Sequence, residues 1–336
     1  MSYLDVHRQV SKDIDAEIAA ALERLGPPSS AARKAVATLL QHRKLRHPLS
    51  VLPLLVHAVE TGTPGPAIPV SAIHLLWWTS ACYFDDLADG HGAAVSGGLS
   101  ENEALLASVV VGNVLPLQII QSPQVPETVR GALITEVLNS WTLALTGQID
   151  DMRGDVGSAT RNSVIATYRG KSGAPFGMIT TLAATLAGAA SGRTELWREF
   201  GYVFGILWQM FNDQEDIVSG RNEDLLNGTV TYLLVCAVEE SSTRSREHIL
   251  NLCAAAGSSH PARTELAGLL RAPAVLRRYR EDLDGFRDEA HRILGELGGD
   301  EAYLPALRQL VDQSARMLLE ADLVPAGATT APRGSL

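Results

Sequence analysis

The stretch Leu75–Gly90, LLWWTSACYFDDLADG, places aspartates directly after an apolar run that has the composition of a buried helix. If the helix continues through Asp85, Asp86 and Asp89, the first and last of these share one face, one turn apart. Like charges at this spacing cost an isolated helix about 0.2–0.5 kcal/mol. The helix dipole also disfavours anions at a C-terminus. The pattern therefore predicts a bound cation at the end of this helix, with a solvated acidic loop as the alternative.

A second stretch, Gly201–Gly220, reads GYVFGILWQMFNDQEDIVSG and again combines an apolar helix with a polar stripe. Gln209, Asp213 and Asp216 fall on one helical face, and Asn212 lies beside that face. Carboxylate oxygens suit Mg²⁺, which often bridges protein carboxylates and substrate phosphates. Two buried helices that each present carboxylates therefore predict a shared metal and diphosphate site between helices of a bundle.

The rest of the sequence indicates a large all-α protein. Its 336 residues are 46% hydrophobic, segments such as Ala31–His42 have helical periodicity, and alternating strand patterns are scarce. Neither a convincing linker nor a repeat divides the chain, so we predict a single domain over residues 1–322. Residues 323–336 are small, polar and proline-containing, and this composition predicts a disordered tail.

Charge and cysteine content restrict the class of function. The net charge of −10 and the lack of a basic run argue against nucleic-acid binding, because acidic chains repel phosphate backbones. The three cysteines have neither metal-ligand nor disulfide-framework spacing, which fits a reducing cytoplasm. The N-terminus lacks a signal-peptide pattern, and the longest apolar run, near Leu105–Ile120, is interrupted by Asn113, Pro116 and Gln118. We therefore expect a cytoplasmic protein without a transmembrane segment.

Five segments, in order, resemble the trans-type isoprenyl diphosphate synthases of the polyprenyl synthetase family. The family's two aspartate-rich motifs are matched by the acidic ends of the two helices above, with Asn212 replacing the first aspartate of the second motif. Its three other motifs are matched by Arg43–Pro48, Gly147–Asp151 and Lys171–Phe176. The matches span about Gln41 to Tyr232, which is most of the chain.

The resemblance implies an isoprenoid synthase-type helical bundle around a deep central pocket. It also implies an enzyme that ionises an allylic prenyl diphosphate with Mg²⁺ and that forms a homodimer. The implied metal ligands are Asp85, Asp86, Asp89, Asn212, Asp213 and Asp216. The implied catalytic residues are Asp85, Asp86, Asp89, Lys171, Gln209 and Asp213. The predicted substrate-binding residues are Arg43, Lys44, Arg46, Trp78, Ser80, Ala81, Gln148 and Phe176. By the same analogy, the small side chains of Ser80 and Ala81 leave room for a longer product.

Three departures from the family pattern leave the acceptor open. The segment Gly90–Gly98 lacks the family's arginine pair, Trp78 replaces a histidine, and Thr229 replaces a lysine. Each missing cation removes a charge-assisted contact to phosphate, and the losses are heaviest at the isopentenyl diphosphate site. The main hypothesis is prenyl transfer to an isoprenoid acceptor such as isopentenyl diphosphate. The alternatives are a different acceptor and a class I terpene cyclase or diphosphate lyase; a regulatory subunit fits less well, because most metal ligands are retained.

Overall fold

The computed structural model describes residues 2–42, 50–88, 90 and 98–319, and within these residues it contains helices and turns but no β-strand. The helices are α1 Tyr3–Glu23, α2 Ala31–His42, α3 Leu52–Thr61, α4 Ile68–Ala88, α5 Glu101–Val109, α6 Leu115–Ile120, α7 Glu127–Met152, α8 Arg161–Tyr168, α9 Ala174–Leu186, α10 Ser191–Ser219, α11 Glu223–Asn227, α12 Tyr232–Glu239, α13 Thr243–Ala256, α14 His260–Leu270, α15 Pro273–Leu297 and α16 Leu304–Ser314. The prediction of an all-α fold is confirmed.

Helix α9 lies at the centre of the bundle. Every residue from Ala174 to Ala184 is buried, because the helix packs against α3, α4, α7 and α10. A helix that is surrounded in this way needs no polar face, and its sequence APFGMITTLAATL is accordingly apolar on all sides. The neighbouring helices α4, α7 and α10 carry the polar residues predicted for the site.

Two π-helical turns interrupt the helices, and a proline follows each turn. Val110–Val114 separates α5 from α6, and Arg169–Gly173 separates α8 from α9. Pro116 has no N–H to donate to the carbonyl of Gly112, and the indole N–H of Trp141 on α7 donates to that oxygen instead, at 3.2 Å. Such turns are rare and often lie at functional sites, and the second turn carries the lysine predicted to be catalytic.

The continuous helical run Glu101–Ile120 is long and apolar enough to cross a membrane by length and composition. The run is continuous because the first π turn accommodates Pro116 without ending the helix. Half of the run is buried in the bundle against α2 and α4, as in the core helix of a soluble protein.

Some sequence predictions fall outside the described residues. They concern the basic residues Arg43, Lys44 and Arg46, the third aspartate Asp89 and the tail 323–336. Helix α4 continues to Ala88, so the predicted helix does extend through Asp85 and Asp86. The single-domain organisation stays a prediction.

Candidate active site

A cleft of about 420 Å³ is lined by α4, α7, the second π turn, α10 and the segment that follows α10. It brings the ends of the two acidic helices together, because Asp85 of α4 and Asp213 of α10 both line it. Seven acidic side chains contribute to the described lining, whereas the cations in that lining are Lys171 and Arg221. The cleft is therefore strongly acidic, and it is closed on its apolar side by tryptophans of α4.

Two close backbone contacts hold the π turn Arg169–Gly173 in the wall of the cleft. A Cβ at Gly147 of α7 would stand 2.2 Å from the backbone nitrogen of Lys171. On the other side, a Cβ at Gly205 of α10 would stand 2.5 Å from the carbonyl oxygen of Ser172. Only glycine permits these approaches, so α7 and α10 contact the turn with their backbones. This packing sets the positions of Lys171 and Ser172.

Lys171 connects the carboxylates of two helices. Its Nζ donates to Asp85 Oδ1 at 3.0 Å and to Asp151 Oδ2 at 2.7 Å. Gln148 Nε2 donates to the same oxygen of Asp85 at 2.8 Å. Burial opposes the charge of Lys171, but the two carboxylates outweigh burial and raise the pKa of its ammonium group above the usual value. The lysine is therefore positively charged at neutral pH.

Asp213 is 3% exposed, and both of its carboxylate oxygens accept hydrogen bonds. Gln209 Nε2 donates to Oδ1 at 3.0 Å, and the Tyr168 hydroxyl donates to Oδ2. Ser172 Oγ donates to Gln209 Oε1 at 2.6 Å, so the π turn helps to orient this network. Burial raises the pKa of Asp213 to about 7 despite the hydrogen bonds.

Asp216 lies nearly one turn further along α10, and its carboxylate contacts the backbone at the start of α11. Oδ1 accepts from the N–H of Glu223 at 3.0 Å, and Oδ2 accepts from the N–H of Asp224 at 3.2 Å. A carboxylate in this position is stabilised by the dipole of the following helix. Burial, together with the charges of Asp213 and Asp216, raises the pKa of Asp224 well above its usual value. Asp216 therefore positions the segment after α10.

The residues of the cleft fit Mg²⁺. Burial, with a contribution from neighbouring carboxylates, raises the pKa of Asp213 and of Asp224, so a bound cation would stabilise their ionised forms. Among the described residues, no group of three His, Cys, Asp or Glu residues is close enough to hold a metal alone. Mg²⁺ generally uses one or two carboxylates with waters and substrate phosphates, so this arrangement suits it. Asp85 and Asp213 are the side chains that would bind it.

Aromatic rings form the floor of the cleft. Trp77 and Trp78 of α4 line it, and the centroid of the Trp78 ring lies 5.3 Å from that of Phe176. The Phe176 ring lies 5.1 Å from Phe204, and the Trp77 ring lies 4.5 Å from Trp141. Trp77 and Trp78 thus each pack against a further aromatic ring.

Ser80 does not line the cleft. It is fully buried, its hydroxyl donates to the carbonyl of Ser108 at 2.8 Å, and Gly112 packs directly against it. Ala81 does line the cleft. The room that the two small side chains were expected to leave is occupied at Ser80 by α5 and the first π turn.

The structure brings most of the predicted residues of the described part into one cleft. Its lining includes Trp78, Ala81, Asp85, Gln148, Lys171, Gln209, Asn212, Asp213 and Asp216. Asp86, Ser80 and Phe176 lie outside this lining, although Phe176 supports Trp78. Sequence reasoning missed Tyr168 and Ser172. Tyr168 contacts a residue that is 45 positions away in the chain, and Ser172 contacts one that is 37 positions away, and no local pattern marks such contacts. The partner of Lys171, Asp151, could have been found as the last residue of a matched motif.

Comparison with known proteins identifies the family. Residues 102–267 match the polyprenyl synthetase family model. Over 268 residues the chain is 25% identical to the short chain isoprenyl diphosphate synthase of Methanothermobacter thermautotrophicus, covering 75% of this chain and 80% of that protein. The chain belongs to the polyprenyl synthetase family. The prediction that this polyprenyl synthetase is an enzyme of the isoprenyl diphosphate synthase family is confirmed at that level.

Solved structures share the fold of this polyprenyl synthetase. The decaprenyl diphosphate synthase from Rhodobacter capsulatus has a TM-score of 0.77 at 18% identity, covering 93% of this chain and 98% of that chain. The geranylgeranyl pyrophosphate synthase from Corynebacterium glutamicum, complexed with isoprenyl diphosphate and magnesium, has a TM-score of 0.74 at 14% identity, covering 90% and 97% of the two chains. The predicted isoprenoid synthase-type fold is confirmed.

Proposed function

We propose that this protein is a Mg²⁺-dependent prenyltransferase that ionises an allylic prenyl diphosphate and transfers the prenyl group to an isoprenoid acceptor such as isopentenyl diphosphate. The observation that carries this proposal is the meeting of Asp85 and Asp213 in one cleft that also contains the partly buried, charged Lys171. With Mg²⁺ bound, the acidic wall suits a diphosphate, and the aromatic floor suits a prenyl chain. The cysteine spacing supports a cytoplasmic location.

The acidic wall and the aromatic floor of the cleft contribute to different steps of the proposed reaction. Bound magnesium, held by Asp85 and Asp213, would neutralise the diphosphate and stabilise the departing pyrophosphate. Lys171 has one N–H beyond those it gives to Asp85 and Asp151, and it would donate this hydrogen bond to the same leaving group. The allylic C–O bond breaks, its electron pair leaves with pyrophosphate, and an allylic carbocation remains in the cleft that Trp78 lines. The double bond of the acceptor supplies the electron pair of the new C–C bond, and the acceptor then loses a proton to the released pyrophosphate, which restores a double bond.

Class I terpene cyclisation or diphosphate lysis is the second candidate. The aromatic floor favours it, because Trp78 lines the cleft and an aromatic ring stabilises cations formed within one substrate. Prenyl transfer to an acceptor other than isopentenyl diphosphate uses the same ionisation step. The candidates therefore differ only in what quenches the cation.

A product assay distinguishes them. Purified protein and Mg²⁺ are incubated with geranyl, farnesyl or geranylgeranyl diphosphate, each with and without isopentenyl diphosphate, and the extracts are analysed by mass spectrometry before and after phosphatase treatment. Longer prenyl alcohols that appear only with isopentenyl diphosphate would support elongation. Hydrocarbons or cyclic alcohols formed without it would support the cyclase. If no allylic diphosphate is consumed, the proposed function is wrong.

Replacing Trp78 by alanine is expected to lengthen the main elongation product by one or more isoprene units, because it removes a ring that closes the cleft. The measurement is the chain length of phosphatase-treated products by mass spectrometry. Trp208→Ala is the matched control, since Trp208 also packs against Phe176 but lies outside the cleft lining. An unchanged product distribution in Trp78→Ala would contradict the role of Trp78 as the floor.

We also propose a homodimer through an apolar face on α5 and α7. Leu138, Leu145 and Met152 are exposed and recur every seven residues along α7, and α5 exposes Leu106 and Val109. A second copy of the chain would cover this face, in line with the family resemblance. Light scattering after size exclusion is expected to give the mass of two chains. Leu145→Lys is expected to shift the mass toward one chain, and a monomeric wild-type protein would contradict the proposal.

A further inference from the structure

The turn between α10 and α11 holds an arginine at the edge of the cleft. Gly220 and Asn222 have positive φ angles of 74° and 50°, and among the described residues Asn222 is the one non-glycine residue with a positive φ. The N–H of Asn222 donates to the carbonyl of Asp216 at 3.3 Å, while the carboxylate of Asp216 caps the following helix. The strained turn is therefore held in place from α10, and Arg221 stands between its two left-handed residues.

The guanidinium of Arg221 approaches the acidic wall without forming a close ion pair. Nη1 lies 3.6 Å from Glu223 Oε2, and Nε lies 3.8 Å from Asp216 Oδ1, both longer than a normal hydrogen bond. Nε donates to Ser219 Oγ at 3.1 Å, and the side chain is 54% exposed. Within the described residues, Nη1 and Nη2 make no hydrogen bond and so keep their donors for a ligand.

The charge of the cleft indicates what that ligand is. Lys171 already donates to Asp85 and Asp151, so a phosphate on the α10 side meets mainly the carboxylates of Asp213 and Asp216. A guanidinium presents its N–H groups in a planar fork that matches two phosphate oxygens. In the described part of the lining, Arg221 is the one cation besides Lys171.

We propose that Arg221 binds the diphosphate group of the substrate, donating from Nη1 and Nη2 to phosphate oxygens. This inference rests on the proposed function and adds a binding residue that the aspartate-rich motifs do not contain. Arg221 stands after α10 and Lys171 stands on the π turn, so the two cations hold the diphosphate from different elements of the cleft. The predicted role is in binding, and it adds to that of the metal rather than replacing it.

The test is the affinity for inorganic pyrophosphate in the presence of Mg²⁺, measured by isothermal titration calorimetry on the full chain. Arg221→Gln is expected to weaken binding about tenfold or more, the usual effect of losing a charge-assisted hydrogen bond. Arg221→Lys keeps the charge but loses the fork, so its affinity should lie between those of the wild type and Arg221→Gln. Arg244→Gln is the control, since Arg244 is exposed on α13 and does not line the cleft; it should bind like the wild type.

Steady-state kinetics and thermal unfolding complete the test. For the allylic diphosphate, Arg221→Gln should raise KM by about the same factor as the dissociation constant of pyrophosphate, with an unchanged melting temperature. If Arg221→Gln binds pyrophosphate as well as an active wild type does, the inference fails and the proposed function stands. A wild type that neither binds pyrophosphate nor consumes an allylic diphosphate would overturn both. A lower melting temperature without rescue by Arg221→Lys would assign Arg221 to the fold and overturn the inference.

Discussion

Replacing Asp213 by asparagine is expected to lower kcat by about three orders of magnitude while the helical fold stays intact. The carboxylate is buried against Tyr168 and Gln209, and it is one of the two side chains expected to bind magnesium. Asparagine has nearly the same shape and still accepts one hydrogen bond, but it carries no charge. Because burial of the charge is unfavourable without metal, the melting temperature should stay the same or rise.

The measurements are pyrophosphate release from an allylic diphosphate with Mg²⁺ and thermal unfolding by circular dichroism. Asp85→Asn should behave in the same way, since Asp85 is the predicted ligand on α4. Asp150→Asn is the matched control, because Asp150 is exposed and lies outside the cleft lining, and it should keep nearly full activity. Full activity of both Asp213→Asn and Asp85→Asn would refute the assigned metal site.

Replacing Gly147 by alanine is expected to lower the free energy of unfolding by about 2–3 kcal/mol and to reduce activity by about a hundredfold. The new Cβ would stand 2.2 Å from the backbone nitrogen of Lys171. A backbone atom cannot rotate away as a side chain can, so α7 and the π turn must separate. That separation moves Lys171 relative to Asp85 and Asp151, and the leaving group then loses its donor.

Chemical denaturation and steady-state kinetics check this prediction, and α7 supplies its own control. Gly131 lies on the same helix, and a Cβ there would meet no atom within 4 Å. Gly131→Ala should therefore stabilise the protein by about 0.5–1 kcal/mol, because alanine favours the helix over glycine. Equal effects of Gly147→Ala and Gly131→Ala on stability would show that the contact with the π turn is unimportant.

Helix positions were predictable because they depend on local patterns. The periodicity of Ala31–His42 predicted α2 with its observed bounds, and the second acidic stretch lies within α10 up to Ser219, one residue before its last glycine. Asp85 and Asp213 could be predicted as site residues for a related reason. A carboxylate on an apolar helix is energetically unfavourable by itself, so the pattern indicates a partner cation before the fold is known.

Other parts of the site could not be predicted from local patterns. The contact between Tyr168 and Asp213 joins two helices, and it requires the π turn that follows α8. The role of Asp216 as the cap of α11 depends on a turn of two left-handed residues. Small side chains at Ser80 and Ala81 suggested open space, but α5 packs into that space at Ser80. Each of these outcomes depends on which backbones come into contact.

The sequence by itself determined the all-α class, the two acidic helices and the family, because periodicity, charge and motif order are properties of neighbouring residues. Only the tertiary structure decided how Lys171 pairs with Asp85 and Asp151, where the aromatic floor closes the cleft, and that Arg221 stands at its edge. These features arise from close packing between helices that are distant in the chain. Packing is a property of the whole bundle, and no short stretch of sequence contains it.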